Sequence, residues 1–114
     1  MITFEKQSIG KKEKPFIIAE MSGNHNQSLD RALKIVDAAS DAGANAIKLQ
    51  TYTAETMTLD IKEGDFFIDD PNSLWKGNSM FDLYKLAHTP WEWHEPIIKH
   101  AKSKNLLCFS SPFD

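Results

Sequence analysis

The 114 residues are 41% apolar and 25% charged, the profile of a soluble globular chain rather than a disordered or fibrous one. A net charge of −3, with the lysines scattered, excludes the basic footprint that nucleic acid or an anionic membrane requires. No apolar run nears the roughly 20 residues of a membrane span, and residues 1–14 lack the apolar core of a signal peptide, so a cytoplasmic protein is expected.

Taken in chain order, residues 2–9, "ITFEKQSI", predict one short strand before "GKKEK" turns the chain. "PFIIAE" at 15–20 is a continuous apolar run behind a proline, the pattern of a strand covered on both faces. From Leu29, apolar residues recur at helical spacing through Ala32, Leu33, Val36, Ala39 and Ala42, with Ser28 or Asp30 to cap the start and Gly43 to end it. "ANAIKLQTY" at 44–52 then predicts a second strand, and strand, helix, strand with short connections requires a parallel pair.

Residues 53–80 show no clear period and are too long for an ordinary connection, which marks them as a candidate lid or binding loop. "MFDLYKLAH" at 80–88 predicts a short helix. "TPWE" at 89–92 offers a cap, a proline suited to the first helical position and a glutamate that completes a capping box. A helix is expected from there, kinked or restarted at Pro96, where a backbone hydrogen bond is lost. Trp91, His94, Ile97 and Ile98 would share one packing face of it. "LLCFSSPFD" at 106–114 predicts a third strand stopped by Pro112, with Cys108 inside it as a buried structural thiol.

Thirty residues separate Glu20 from Gln50, about one eighth of the roughly 250 residues of a (β/α)8 barrel. The expected fold is therefore α/β: the N-terminal portion, about three β/α units, of a TIM-type barrel with parallel strands. Three units cannot close a barrel, so residues 1–114 are expected to be part of a longer polypeptide. A doubly wound open sheet is the other α/β choice, but no glycine-rich phosphate fingerprint follows the first strand.

In a parallel barrel the C-terminal strand ends build the active site, which explains a carboxylate, Glu20, at the end of an apolar strand. On the second strand, period two puts Ala46, Lys48 and Gln50 on one face and Ile47 and Leu49 on the other, toward the helices. An inward lysine needs an anion, either Glu20 or a ligand, because burying an unpaired ammonium costs several kcal/mol. A purely structural Glu20–Lys48 plug satisfies the same pattern. Ser110 and Ser111 bring hydroxyls to the third strand end, and alternation lets only one point inward, without deciding which. His25 in "GNHN" invites a metal reading, but one histidine beside amides fits a helix-capping turn better. His88, His94 and His100 have no ligand spacing, and no Ser-His-Asp arrangement or cysteine pair is present.

The stretch "FIIAEMSGNHNQSLDRALKIVDAASDAGANAIKLQTYTAETMTLD", together with "SSPFD", resembles the sialic acid synthase family. Members of that family carry a glutamate after the first barrel strand, K-x-Q on the second and S-[ST]-P-F on the third. The likeness runs from Phe16 to Asp114, and "FDLYKLAHTPWEWH" is similar to the pseudaminic acid branch more than to the N-acetylneuraminate branch. The resemblance implies an enzyme that condenses phosphoenolpyruvate with a 2,4-diacetamido-2,4,6-trideoxyhexose, giving a nonulosonic acid and phosphate. It implies that Lys48 binds phosphoenolpyruvate, Glu20 transfers a proton or orients water, Gln50 bonds the sugar, Ser111 bonds the phosphoenolpyruvate carboxylate and Phe113 packs near the sugar. It also implies a divalent metal, Mn or Mg, with its ligands outside this segment, a small C-terminal domain beyond residue 114, a homodimer at full length, and no activity from these residues alone. The rivals are an N-acetylneuraminate or legionaminic acid synthase and, from another class, a non-catalytic binding or assembly module.

Overall fold

The chain opens with two strands where one was expected. A computed structural model describes residues 1–114 throughout, and in it β1 (Ile2–Phe4) pairs antiparallel with β2 (Gln7–Ile9), Ile2 opposite Ile9 and Phe4 opposite Gln7. Only Glu5 and Lys6 make the turn, and Glu5 takes a left-handed φ of 51° to close it. A periodicity count runs straight through so short a reversal.

The second sheet has three parallel strands in the order β3 (Ile18–Glu20), β4 (Ala46–Thr51), β5 (Leu107–Pro112). Between β3 and β4 runs helix α1 (Leu29–Asp41). Ser28 caps it by accepting the Arg31 amide, a bond worth about 1 kcal/mol. Gly43, at φ 85°, ends it, a conformation that costs only glycine nothing.

Three helices lie between β4 and β5. The unpatterned stretch 53–80 holds a helix the periodicity missed, α2 (Ala54–Met57), whose four residues are too few to show a period. The Thr53 amide donates to the Thr56 hydroxyl at its start. A 3₁₀ turn follows at Gly64–Phe66, and a bridge between Phe67 and Ser79 closes the rest into a loop. Helix α3 (Met80–Ala87) is capped by Ser79, which accepts the Asp82 amide, and packs on α2.

The expected helix from Thr89 is corrected. Trp91–Trp93 form a 3₁₀ turn, and α4 (His94–Ser103) starts only after it. The Thr89 hydroxyl caps nothing, because it faces His25 Nε2 at 3.2 Å. Pro96 then falls in the first turn of α4, where its missing N–H has no intrahelical partner to lose. The packing face shifts as well: Ile97 and Ala101 are buried and Trp93 packs on the core, while Trp91 and Ile98 are exposed.

Helices α1 and α4 cover one side of the sheet. Met21, Ala32, Val36, Ala39, Ile47, Leu49, Ile97, Ala101 and Leu106 form the buried core there, with Ala19 and Cys108 packed against it. Burial pushes the Cys108 thiol pKa up, in keeping with a structural thiol, although it is only half-buried. Across the helices, His100 Nε2 lies 2.6 Å from Asp37 Oδ1, with Lys104 at 3.6 Å. The His100 hydrogen bond is the main reason that Asp37 titrates below the usual carboxylate range.

The other side of the sheet has no helix of residues 1–114 on it, so within these residues the first strand, expected to be covered on both faces, is covered on one. Ile18 on β3 is exposed, as is Phe109 on β5. At the N-terminal end of this face, Phe16, Ile18, Ala46, Leu107 and Phe109 meet Phe4 and Ile9 of the hairpin around an open cavity of about 310 Å3. The hairpin is moored by Asn45, whose Nδ2 donates to Gln7 Oε1 at 2.9 Å while its Oδ1 accepts the Ile17 amide at 2.8 Å. No helix is long and apolar enough to cross a membrane.

Candidate active site

Along the open face, alternation and register decide what meets what. Glu20 stands opposite Lys48 in the β3–β4 register, and Gln50 stands opposite Ser111 in the β4–β5 register. Residues two apart on a strand share a face, so Glu20, Lys48, Gln50 and Ser111 lie on one side, at the C-terminal ends of three parallel strands. The face is therefore graded, with apolar side chains at the hairpin end and polar ones at the other.

Lys48 Nζ lies 2.6 Å from Glu20 Oε1. The lysine side chain is 25% exposed and the carboxylate 56%, so the ammonium is the more enclosed partner and the one that depends on a counter-charge. At such exposure the pair itself contributes only about 0–1 kcal/mol to stability. Its geometry brings together the acid and the amine that the sequence pattern singled out.

The ambiguity between the serines is resolved by hydrogen bonding. Ser110 Oγ turns to the helix side and lies 2.6 Å from Thr51 Oγ1, which leaves Ser111 on the face of Lys48 and Gln50. Phe113 follows one step beyond, its amide donating to the Thr51 carbonyl at 2.9 Å. Its ring stands edge-on to Tyr52, with centroids 6.5 Å apart, and Tyr52 is edge-on to Tyr84 of α3 at 5.6 Å. Burial, and to a lesser degree Tyr84, push the Tyr52 pKa up, so its hydroxyl stays protonated. These three rings make an apolar wall beside the polar group, and Phe113 is the exposed member.

The turn after β3 is built by residues 21–28. Ser22, Asn26 and Gln27 hold left-handed φ values of 51°, 49° and 57°. Gln27 Nε2 donates to the carbonyls of Leu86 and His88 at 2.7 and 2.8 Å, closing the C-terminal end of α3. Gly23 is needed for close approach, since a Cβ there would lie 3.0 Å from the Ala87 Cβ. His25 is fully buried and edge-on to Trp93 at 5.1 Å. Its Nδ1 accepts the Gln27 amide at 3.1 Å, so the ring proton sits on Nε2 and is donated to Thr89. Desolvation by burial, then the nearby His88, hold its pKa below the ordinary value of 6.5. A neutral histidine with both nitrogens engaged is a structural pin, as the turn reading expected.

No group of three or more His, Cys, Asp or Glu side chains is placed to hold a metal ion. By themselves the residues of this chain do not form a donor set for the divalent metal that the resemblance implies. Sequence reasoning missed a contact behind the strand ends: His94 Nε2 lies 2.7 Å from Thr51 Oγ1. Forty-three residues separate them, and a helical wheel carries no signal for such a bond.

The chain is similar to known proteins in sequence and in fold. The NeuB family profile matches residues 35–114. A pseudaminic acid synthase of Campylobacter jejuni is 50% identical over 101 residues, which cover 89% of this chain and 29% of that protein. A pseudaminic acid synthase of Helicobacter pylori is 44% identical over 99 residues, covering 87% and 28%. The crystal structure of an N-acetylneuraminic acid synthetase from Leptospira borgpetersenii superposes with a TM-score of 0.79 at 34% identity, covering 99% of this chain and 34% of that one. The chain spans less than a third of the length of the curated relatives it matches. With a family profile over most of its length, two relatives at 44–50% identity and a matching parallel α/β architecture, the chain belongs to the NeuB family of sialic acid synthases.

Proposed function

We propose that residues 1–114 are the first part of the catalytic barrel of a pseudaminic acid synthase, a cytoplasmic enzyme that joins phosphoenolpyruvate to a 2,4-diacetamido-2,4,6-trideoxyhexose. The observation that carries this reading is the Glu20–Lys48 pair at 2.6 Å on the same face as Gln50 and Ser111, at the C-terminal ends of parallel strands. The graded open face fits a barrel interior, apolar below and polar at the mouth, better than it fits the docking surface of an assembly module. The identities of 50% and 44% to pseudaminic acid synthases, against 34% to the N-acetylneuraminic acid enzyme and 29% and 31% to two N,N'-diacetyllegionaminic acid synthases, support the pseudaminic acid branch over its rivals.

In this reading phosphoenolpyruvate competes with Glu20 for the Lys48 ammonium, because its several negative charges make a stronger partner than one carboxylate. Displaced from Lys48, Glu20 is free to orient water and take its proton. The enol carbon bonds to the sugar aldehyde carbon, whose oxygen gains a proton. Water adds at the second carbon of phosphoenolpyruvate, and the bond from that carbon to the phosphate oxygen breaks to release phosphate. Gln50 orients the sugar, Ser111 holds the carboxylate and Phe113 shields the sugar from water. The rest of the barrel, a divalent cation with its ligands, a small C-terminal domain and a dimer partner belong to the longer protein.

The test is kinetic, on the full-length protein, with phosphate release as the readout. Glu20→Gln should lower kcat by about 10²- to 10⁴-fold, the range of a lost acid–base group. Lys48→Ala should act mainly on the phosphoenolpyruvate KM, raising it at least tenfold, because it removes a binding charge. Unchanged kinetics in both variants would remove the site assignment. Turnover of N-acetylmannosamine in preference to the diacetamido sugar would transfer the protein to the N-acetylneuraminate branch.

A further inference from the structure

On the helix side of the sheet, directly behind the polar face, three side chains form one hydrogen-bonded run. Ser110 Oγ is 2.6 Å from Thr51 Oγ1, and Thr51 Oγ1 is 2.7 Å from His94 Nε2. His94 Nδ1 stands 3.0 Å from the Trp91 carbonyl oxygen, which can only accept. In the neutral tautomer that fits these partners the proton is on Nδ1. Its Nε2 accepts from the Thr51 hydroxyl, which in turn accepts from Ser110, so all three groups are oriented in one direction.

The location gives this run a consequence. Thr51 follows Gln50 and Ser110 precedes Ser111, and Gln50 and Ser111 are register partners. Successive strand side chains leave opposite faces, so anchoring Thr51 and Ser110 behind the sheet sets the direction in which Gln50 and Ser111 leave its front. At this level of the sheet the side-chain hydrogen bonds all lie on the helix side, among Ser110, Thr51 and His94. The ring sits on the first residue of α4, held by the 3₁₀ turn before it and edge-on to Trp91 at 5.8 Å. Three elements thus converge on one imidazole.

We propose that His94 is a positioning residue: through Thr51 and Ser110 it fixes the tips of β4 and β5 so that Gln50 and Ser111 are presented beside Glu20 and Lys48. The proposal rests on the site reading above, and it makes His94 neither a metal ligand nor a proton donor to substrate.

Crystal structures and kinetics of full-length variants test it. In His94→Ala, the Gln50 and Ser111 side chains should leave their positions by about 1 Å or more, a displacement large enough to cost up to about 10²-fold in rate. Both side chains remaining in place would overturn the proposal. For the same variant, kcat/KM should fall about 10- to 100-fold, while His94→Gln, whose side-chain carbonyl can accept from Thr51, should recover to within about threefold of wild type. A purely structural role predicts no such selective rescue, so equal losses in the two variants, or no loss in His94→Ala, count against positioning. If His94→Ala does not fold, Thr51→Val makes the same test, since it keeps the shape and removes the hydroxyl. Should the wild-type protein not turn over phosphoenolpyruvate, the site reading fails, and the crystallographic comparison still decides the role of His94.

Discussion

The two faces of the parallel sheet come from the same three strands and could hardly differ more. Behind, Ala19, Ile47, Leu49 and Cys108 pack on α1 and α4. In front, Ile18 stands exposed at the hairpin end, and the Glu20–Lys48 pair lies one step up, level with the exposed Phe109. The contrast teaches that burial within residues 1–114 is one-sided, with apolar side chains such as Phe109 left on the open face.

The largest effect expected from this contrast is on the front. If the front becomes the interior of a closed barrel in the full-length protein, Phe109→Ala should destabilise that protein by about 3–5 kcal/mol, the cost of emptying a core phenylalanine. Here Phe109 is 40% exposed, so a loss below about 1 kcal/mol in urea unfolding of the full-length protein would mean that nothing encloses this face. Ile47→Ala, fully buried behind the sheet, should cost about 2–5 kcal/mol whether or not the barrel closes. A cost at Phe109 similar to that at Ile47 is thus the mark of a two-sided core.

A smaller effect is expected where the β3–α1 turn meets α3. Gly23→Ala puts a methyl group 3.0 Å from the Ala87 Cβ, and relieving that crowding should cost about 1–3 kcal/mol. The same unfolding measurement checks it, and full wild-type stability would show that the turn can retreat from α3.

The smallest effect is on pH dependence. His25 titrates below 6.5 when folded and at about 6.5 when unfolded. Between those two values the unfolded chain binds more protons, so stability is complete above about 6.5 and falls as the pH is lowered toward the folded value. In full-length protein the melting temperature should therefore drop more steeply below pH 6.5 for wild type than for His25→Asn, which keeps an acceptor for the Gln27 amide. Parallel curves for the two proteins would remove His25 as the source of that slope.

Several elements were legible locally because local rules govern them. Ser28 and Gly43 bounded α1 through capping and a left-handed φ, and Pro112 ended β5. Period two placed Lys48 on the polar face and left its counter-charge as Glu20 or a ligand; the register and the contact at 2.6 Å brought in Glu20. Other readings failed where a distant partner overrode the local pattern. Thr89 looks like a helix cap, but His25, 64 residues earlier, takes its hydroxyl, and the helix begins five residues later, at His94. "PFIIAE" looks like a strand buried on both sides because apolarity records what a side chain prefers to touch and not whether that neighbour lies within these residues.

By itself, then, the sequence determined the order of the three parallel strands and of α1, α3 and α4, the parallel pairing and the polar side chains at the strand ends, since each depends on backbone preference and on residues within a few positions. The tertiary structure alone decided that Ser111 rather than Ser110 shares the face of Lys48, that His94 braces the strand tips and that the sheet is covered on one side only. Those outcomes depend on distances between residues far apart in the chain, and such distances exist only once the elements have packed.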